Sequence, residues 1–203
     1  MQAKIIEKPI ISNKKVYIIN DAQKMTKEAQ NCLLKTLEEP PEFITIILIC
    51  ANESMLLNTI KSRCTKITFQ PIENDELRKY LENNNFNNIT DNMLKTINGS
   101  ISKAYEIQNF MELYQQVEYA FSKVDKIDEV DFINQMLPIY KEKENIIGIL
   151  EYINVILFEK GLKEQKYLNC IEIVEQSKNR LKQNVNLDMT LDNMLFKIWE
   201  NCN

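Results

Sequence analysis

Residues 15–41 read KVYIINDAQKMTKEAQNCLLKTLEEPP, a segment that predicts a strand followed by a helix. Val16–Ile19 is a short apolar, β-rich run between polar ends, which is typical of a strand buried on both faces. Thr26 can cap a helix that runs to about Glu39. Pro40-Pro41 ends that helix, because proline lacks the N–H that the helical ladder needs and clashes with the preceding turn.

Two further strands are predicted downstream of this helix. Ile44–Cys50 is apolar and β-branched, Ser54–Ile60 suits a short helix, and Lys66–Phe69 is a third strand that ends before Pro71. Strands that alternate with helices imply a parallel sheet in an α/β layer. Three strands make a thin sheet, so we expect part of this domain to precede residue 1.

The rest of the chain has the periodicity of helices. In the helix after Thr26, the residues Ala29, Leu33 and Leu37 recur every four positions and predict a buried stripe. Residues 72–110 predict three short helices, and residues 111–203 carry helical stripes without a clear strand, which is typical of a bundle. We therefore expect a mainly α fold with a partial α/β layer. The expected helix-terminal residues are Asn74, Thr90 or Asp91, and Ser100 at N-caps, and Gly99 in a left-handed conformation at a C-terminus.

Composition excludes several classes of function. The 203 residues carry a net charge of -4, which argues against non-specific nucleic-acid binding by the whole surface. There is no histidine, so Ser-His and Cys-His catalytic pairs and histidine-ligated metals are excluded. The five cysteines are odd in number and lack CxxC spacing, which favours reduced thiols over a disulfide framework or a zinc site. No apolar run is long enough to span a membrane.

The first predicted strand ends in Asn20-Asp21, where a Walker B strand carries acidic residues. A Walker B site needs an aspartate on magnesium and usually a glutamate that activates water. Asn20 is neutral and a poor ligand for a divalent cation, and Asp21 is one methylene shorter than glutamate. The sequence contains no GxxxxGK[ST] phosphate loop. These residues therefore predict no ATP binding of the usual kind, and taken alone they describe only a polar strand end.

Three blocks in a fixed order resemble the clamp-loader AAA+ family. The Walker B region of that family is similar to residues 15–41, and its sensor 1 strand is similar to the segment that ends near Asn52. The third block, Ser62-Arg63-Cys64, matches the Ser-Arg-Cys motif of the family. Outside these three blocks, Arg180–Asp192 resembles the last part of its collar domain. The resemblance implies a partial AAA+ core at 1–71, a three-helix lid at 72–110 and a helical collar at 111–203.

Within the family the chain resembles the delta-prime type of subunit. The gamma/tau ATPase subunits of the family carry Asp-Glu where this chain has Asn20-Asp21. They also carry a threonine at the sensor 1 position, and this chain has no threonine at the corresponding position near Asn52. Both differences imply a subunit that does not hydrolyse ATP. The phosphate loop and the four-cysteine zinc module of the family are absent from these residues, so we expect a fragment that lacks the N-terminal half.

The resemblance also implies the roles of individual residues. Arg63 would be an arginine finger for ATP–Mg on a neighbouring gamma/tau subunit, with Ser62 and Cys64 setting its backbone position. The alternative is a helix-end arginine in a surface salt bridge. Asn52 corresponds to sensor 1 and Lys103 to sensor 2, although without a nucleotide Lys103 is more simply a solvated lysine. No nucleotide or metal of its own is expected for this chain.

The implied partners are the gamma/tau and delta subunits, with the sliding clamp and primer-template DNA reached through the assembled complex in the bacterial cytoplasm. Two alternatives stay open on the sequence. One is a fragment of a gamma/tau-type ATPase, which Asn20 disfavours. The other is a helical interaction protein without a role in replication, which the three ordered blocks disfavour.

Overall fold

The computed structural model describes residues 8–9 and 12–203 of the chain. These residues divide into two compact units, Met1–Phe69 and Gln70–Asn203. The predicted division into 1–71, 72–110 and 111–203 stays a prediction. Residues 1–7 and 10–11 lie outside the described residues, as does the segment that was expected before residue 1.

The first unit is built on a parallel β-α-β arrangement. Strand β1 is Lys15–Ile19 and strand β2 is Ile44–Leu48, with Lys15 opposite Ile44 in the register. Helix α1, Lys27–Glu38, connects them after a short 3-10 turn at Ala22–Lys24. The two predicted strands and the connecting helix are therefore confirmed, because the apolar runs and the proline stop mark them locally.

The third strand predicted at Lys66–Phe69 is wrong. In the described part of the first unit the sheet has two strands. Ile67 and Phe69 are 74% and 89% exposed, so this segment neither pairs nor packs. An apolar β-branched run becomes a strand only where a sheet edge and a packing surface receive it. The run indicates the capacity to form a strand, and the surroundings decide whether one forms.

Burial of β1 on both faces is also wrong. Side chains alternate between the two faces of a strand. On one face of β1, Val16 is 57% exposed and Ile18 is 63% exposed. On β2, Ile47 lies opposite Ile18 and is 42% exposed. The other face of the sheet is half-buried. An apolar run thus predicted the strand, but it did not predict how many of its faces are covered.

Helix α1 begins as predicted, but a different face is buried. The hydroxyl oxygen of Thr26 accepts a hydrogen bond from the Ala29 N–H at 3.3 Å, which is an N-cap. Leu33 is buried and Leu37 half-buried, but Ala29 is exposed and Gln30 is buried instead. One residue is a rotation of about 100° on a helix. The buried face is therefore turned toward a polar side chain, which the apolar pattern did not indicate.

Two short elements replace the single helix predicted over Ser54–Ile60. A 3-10 turn spans Glu53–Met55, and helix α2 spans Asn58–Lys61. Leu56 and Leu57 separate them, and Leu56 has an extended backbone. The break places the start of α2 only a few residues before Ser62-Arg63-Cys64.

The second unit is helical throughout residues 70–203, all of which are described. No helix among the described residues combines the length and the apolar content that a membrane span requires. The eight α-helices are α3 Asn74–Asn83, α4 Asp91–Ile97, α5 Ile101–Asn109, α6 Met111–Ser122, α7 Glu129–Met136, α8 Ile146–Gly161, α9 Lys166–Lys182 and α10 Leu187–Cys202, and a 3-10 helix spans Leu137–Lys141.

Local capping explains where several of these helices begin. Thr90 accepts a hydrogen bond from the Met93 N–H, and Ser100 accepts one from the Lys103 N–H, so both predicted N-caps are confirmed. The predicted cap at Asn74 is wrong, because Glu73 occupies that position and makes no side-chain cap hydrogen bond. Caps are local interactions, and a hydroxyl residue before an apolar period is enough to predict them.

One buried apolar cluster runs from Leu77 to Cys202 and takes side chains from both 72–110 and 111–203.

A polar network also connects residues 72–110 with residues 111–203. Glu118 accepts hydrogen bonds from Asn92 Nδ2 at 2.6 Å and from the Tyr152 hydroxyl at 2.8 Å. Burial raises the pKa of Tyr152, so its hydroxyl stays protonated and donates. These contacts connect α4, α6 and α8.

Gly99 has the left-handed backbone predicted for it, with φ of 73°. A Cβ at this position would lie 2.4 Å from the Ile72 nitrogen. Gly99→Ala is therefore expected to lower the free energy of unfolding by about 2–3 kcal/mol, since backbone must move and a strained φ must be kept. The neighbouring Asn98 also has a positive φ, of 45°. Asn98→Gly serves as the control, and urea midpoints that are equal for the two variants would contradict the steric argument.

Candidate functional site

The Ser62-Arg63-Cys64 segment follows directly from helix α2. The Ser62 N–H donates to the Asn58 carbonyl at 2.9 Å, and the Arg63 N–H donates to the Ile60 carbonyl at 3.0 Å. Ile60 is fully buried and anchors the helix in the first unit. The backbone of Arg63 is therefore held in place, while its side chain lies at the surface.

The guanidinium of Arg63 is bonded within its own unit. Its Nη2 lies 2.7 Å from Glu38 Oε1, and its Nη1 donates to the Thr59 carbonyl at 2.9 Å. The Arg63 side chain is 34% exposed and that of Glu38 49%. The surface salt bridge considered as an alternative is thus present in this chain. An exposed pair of this kind contributes about 0.2–1 kcal/mol, so Glu38 restrains the guanidinium only weakly.

Ser62 and Cys64 have structural contacts on either side of Arg63. The Ser62 hydroxyl donates to the Thr59 carbonyl at 3.1 Å, and Ser62 Oγ lies 3.4 Å from Arg63 Nη1. Cys64 is half-buried, and this burial raises the pKa of its thiol. A thiol with a raised pKa is a weak nucleophile at neutral pH. Both residues are therefore suited to holding the turn rather than to covalent chemistry.

Gln30 is a site residue that was not predicted from the sequence. Its side chain is 2% exposed. Its Nε2 donates to the Met25 carbonyl at 3.1 Å and to the Met55 carbonyl at 3.3 Å, and its Oε1 accepts the Leu57 N–H at 2.8 Å. Leu57 is the N-cap residue of α2. Gln30 therefore joins α1 to the start of the helix that carries Arg63.

A signal for Gln30 was present in the sequence. Gln30, Leu33 and Leu37 are spaced i, i+3 and i+7, which is one face of a helix. A polar side chain on an apolar helix face indicates buried hydrogen bonds, because burial without them is costly.

Gln30→Leu is expected to destabilise the first unit by about 2–4 kcal/mol, because one buried N–H and two carbonyls lose their partner. Asn31→Ala is the matched control, since Asn31 is an exposed neighbour on α1. Hydrogen exchange of the amides at 57–63, followed by mass spectrometry, measures the effect locally. Equal protection in the two variants would show that Gln30 does not hold the start of α2.

The end of β1 presents Asn20 and Asp21. Asn20 is exposed, and Asp21 has a left-handed backbone with φ of 51°. The Asp21 carboxylate accepts hydrogen bonds from Lys24 Nζ at 2.9 Å and Gln23 Nε2 at 3.1 Å. These bonds hold the pKa of Asp21 below its ordinary value. Asp21 is therefore an ionised carboxylate whose two oxygens are bonded by its own turn.

Asn52, the sensor 1-like residue, is used locally as well. Its Oδ1 accepts hydrogen bonds from the Ser54 N–H at 3.0 Å and the Ser54 hydroxyl at 2.7 Å, which caps the 3-10 turn. Asn52, Cys50, Lys61 and Cys64 line one open cavity of about 610 Å³. Arg63 is outside this lining. The structure thus places Asn52 and Cys64 at the same cavity, and Asp21 is not among the residues that line it.

Lys103, the sensor 2-like residue, lies on α5 of the second unit. Its Nζ is 2.9 Å from Glu151 Oε2 on α8, and the two side chains are 44% and 39% exposed. Lys103 is thus partly solvated, and in addition it has a carboxylate partner. A carboxylate 48 residues away is its partner, and tertiary packing of the helices brings the two together. Among the described residues, no group of three or more metal-ligating side chains is clustered.

Comparison with known proteins places these features in a family context. Residues 1–73 match the family model described as DNA polymerase III, delta subunit. The DNA polymerase III subunit delta' of Bacillus subtilis is 29% identical over 93% of this chain and 67% of its own length. The subunit delta' of Buchnera aphidicola from Schizaphis graminum is 28% identical over 84% of the chain and 53% of its own length. The chain thus spans about half to two thirds of these relatives.

Relatives named as gamma, tau or gamma/tau subunits match a smaller share, from 34% to 72% of this chain. The DNA polymerase III subunit gamma of Buchnera aphidicola from Acyrthosiphon pisum is 38% identical over 36% of the chain. In fold, the chain is similar to the crystal structure of a DNA polymerase III, gamma subunit-related protein from Thermotoga maritima. That comparison has a TM-score of 0.60 at 20% identity and covers 100% of this chain and 77% of the other.

These matches agree with the order of the blocks seen in the sequence. The family model covers the segment from before β1 to just beyond Cys64, and the delta' relatives extend across both units. The resemblance to clamp-loader subunits is thereby confirmed, and the chain is similar over most of its length to the delta' subunits of DNA polymerase III.

Proposed function

We propose that the chain is a non-hydrolysing clamp-loader subunit of the delta-prime type, which presents Arg63 to ATP bound by a neighbouring gamma/tau subunit. The observation that carries the proposal is the state of Arg63. Its backbone is fixed by α2, while its guanidinium is held at the surface by an exposed pair with Glu38. The Arg63 guanidinium is therefore already positioned at the surface, and it can exchange the Glu38 carboxylate for another anion.

Charge explains why a neighbour's triphosphate would replace Glu38. During phosphoryl transfer, negative charge spreads over the γ-phosphate oxygens, and an arginine supplied in trans stabilises it. The planar fork of arginine bonds two oxygens at once, which the single ammonium of lysine does not. Losing an exposed pair costs about 0.2–1 kcal/mol. An arginine finger is worth about 10³–10⁵ in rate, so the exchange favours the phosphate.

The proposed lack of hydrolysis rests on the end of β1. Asn20 is neutral where an ATPase has a magnesium-binding aspartate, and Asp21 is bonded to Lys24 and Gln23. The 203 residues contain no GxxxxGK[ST] loop. The proposal therefore assigns ATP–Mg to the neighbouring subunit and no nucleotide, magnesium or zinc to the residues of this chain.

The proposed partners are the gamma/tau and delta subunits, with the sliding clamp and primer-template DNA engaged through the complex in the bacterial cytoplasm. The helices at 111–203 would hold the subunit in place as a collar. Lys103 takes no part in nucleotide binding under this proposal, because Glu151 is its partner.

A fragment of a gamma/tau-type ATPase is the second candidate. The gamma relative favours it, because that protein is 38% identical and the delta' relative is 29% identical. The match to the gamma relative covers only 36% of the chain. Asn20 opposes it, since it removes the magnesium ligand. Replacing Asn20 and Asp21 with Asp and Glu would create hydrolysis only if a phosphate loop is supplied as well.

Reconstitution tests the proposal. Purified gamma/tau and delta are combined with or without this chain, and assembly is followed by size exclusion. ATPase is then measured with clamp and primed DNA. We expect the chain alone to be inactive and its omission to lower both assembly and ATPase. Hydrolysis by the chain alone would favour the second candidate, and a complete, active loader without it would contradict both.

A further inference from the structure

Two buried cysteines face each other between α9 and α10. Cys170 Sγ and Cys202 Sγ are 3.9 Å apart, and both residues are 0% exposed. The bond length of a disulfide is about 2.05 Å, so the sulfurs are separated by roughly 2 Å more than a bond requires. We propose that Cys170 and Cys202 are an oxidisable dithiol, which closes to an intramolecular disulfide joining α9 to α10.

The surroundings give the two thiols different roles. Cys170 Sγ lies 3.5 Å from the Lys166 carbonyl and 4.0 Å from the Ile198 carbonyl. A hydrogen bond from Cys202, and then the Lys166 ammonium, lower the pKa of Cys170. The same hydrogen bond and burial raise the pKa of Cys202, although Lys160 and Lys166 oppose this. Cys170 is therefore the more acidic thiol in the packed pair, and we take it as the attacking thiol and Cys202 as the resolving one.

A low-molecular-weight disulfide, such as oxidised glutathione, supplies the oxidant. The Cys170 thiolate attacks one sulfur of the reagent, which forms a mixed disulfide and releases one glutathione thiolate. Cys202 then loses its proton and attacks the Cys170 sulfur, and the second glutathione thiolate leaves and takes up that proton. Two electrons pass from the two cysteines to the reagent, so one protein disulfide forms for each reagent disulfide that is reduced.

Access to the pair requires local opening, because neither sulfur is exposed. Cys202 lies in the last turn of α10, and helix ends open at lower free energy than helix interiors. The Asn203 amide holds this turn by donating to the Val124 carbonyl at 2.9 Å and the Trp199 carbonyl at 3.0 Å. Asn203→Ala is therefore expected to speed the oxidation several-fold, since it removes both restraints.

The other cysteines provide a contrast within the same chain. Cys32 is exposed, and Cys50 and Cys64 are half-buried, all in the first unit. A variant with Cys32→Ala, Cys50→Ala and Cys64→Ala keeps only the proposed pair. Adding Cys202→Ala to that variant leaves Cys170 without a resolving thiol and serves as the matched control.

The test uses the full chain under native conditions. The three-alanine variant is incubated natively with oxidised glutathione, freed of the oxidant, unfolded in urea that contains N-ethylmaleimide and weighed by intact mass spectrometry. We expect a mass about 2 Da lower with no maleimide adduct. We also expect the melting temperature to rise by roughly 5 °C or more, reversibly with dithiothreitol. The Cys202→Ala control should give only a mixed disulfide or a maleimide adduct, with no such rise.

Two results would overturn the proposal. One is a pair of maleimide adducts after prolonged native incubation with the oxidant, with the chain still folded by circular dichroism. The other is a disulfide that forms only when the oxidant is added in urea, because the pair would then depend on unfolding. In both cases Cys170 and Cys202 would be ordinary core residues that pack as small apolar side chains.

Discussion

Arg63→Ala is expected to lower the ATPase of the assembled clamp loader by about 10³-fold, which is the lower value for loss of an arginine finger. The chain itself should stay folded, because the Arg63 side chain contributes only an exposed pair with Glu38 and a hydrogen bond to the Thr59 carbonyl. The measurement is steady-state ATPase of gamma/tau, delta and this chain with clamp and primed DNA. Size exclusion of each complex shows whether assembly is retained.

Three variants make that result specific. Arg63→Lys keeps the charge without the planar fork and should recover only part of the rate. Glu38→Gln removes the surface partner and should retain the full rate, because it leaves the guanidinium intact. Arg78→Ala is the matched control, since Arg78 is also an exposed arginine, paired with Asp91 at 2.8 Å. Equal rates for Arg63→Ala and Arg78→Ala, with assembly intact, would leave Arg63 as a surface arginine only.

Phe132→Ala is expected to lower the free energy of unfolding by about 3–5 kcal/mol, the usual cost of removing a buried aromatic ring. Phe132 is 0% exposed, and its ring packs edge-on against Phe121 with centroids 5.5 Å apart. Truncation leaves a cavity and removes a favourable aromatic contact. A typical domain is stable by only about 5–15 kcal/mol, so this loss is a large share of the total.

Phe158→Ala is the control for this prediction, because Phe158 lies on α8 and is 50% exposed. We expect its effect to stay below about 1 kcal/mol, since half of the ring is already in water. Urea unfolding of both variants by circular dichroism measures the difference. Similar midpoints would show that the second unit does not depend on this part of the cluster.

The elements that sequence predicted well are those with local causes. Thr26, Thr90 and Ser100 are N-caps because a hydroxyl can reach an N–H three residues away. Helix α1 ends before Pro40-Pro41 for a reason of covalent geometry. The prediction of a strand at Lys66–Phe69 was wrong, because a strand needs a neighbouring strand to pair with and the local sequence does not contain one.

In the candidate site, the motif was enough to predict that Arg63 follows a short helix. It did not predict that Glu38 is the ion-pair partner of Arg63. Glu38 is 25 positions upstream, and only the packing of α1 beside α2 places its carboxylate at 2.7 Å. Gln30 reaches Leu57 in the same way. Lys103 and Glu151 form an ion pair only because α5 and α8 meet.

The sequence by itself determined two strands and most of the helices, several of their N-caps, and the clamp-loader family that the chain resembles. These depend on interactions between residues a few positions apart. Only the tertiary structure decided which face of α1 is buried and that one face of β1 is exposed. It also decided that Cys170 lies next to Cys202. Such contacts depend on how distant elements pack, because burial and hydrogen bonding are satisfied across the whole unit at once.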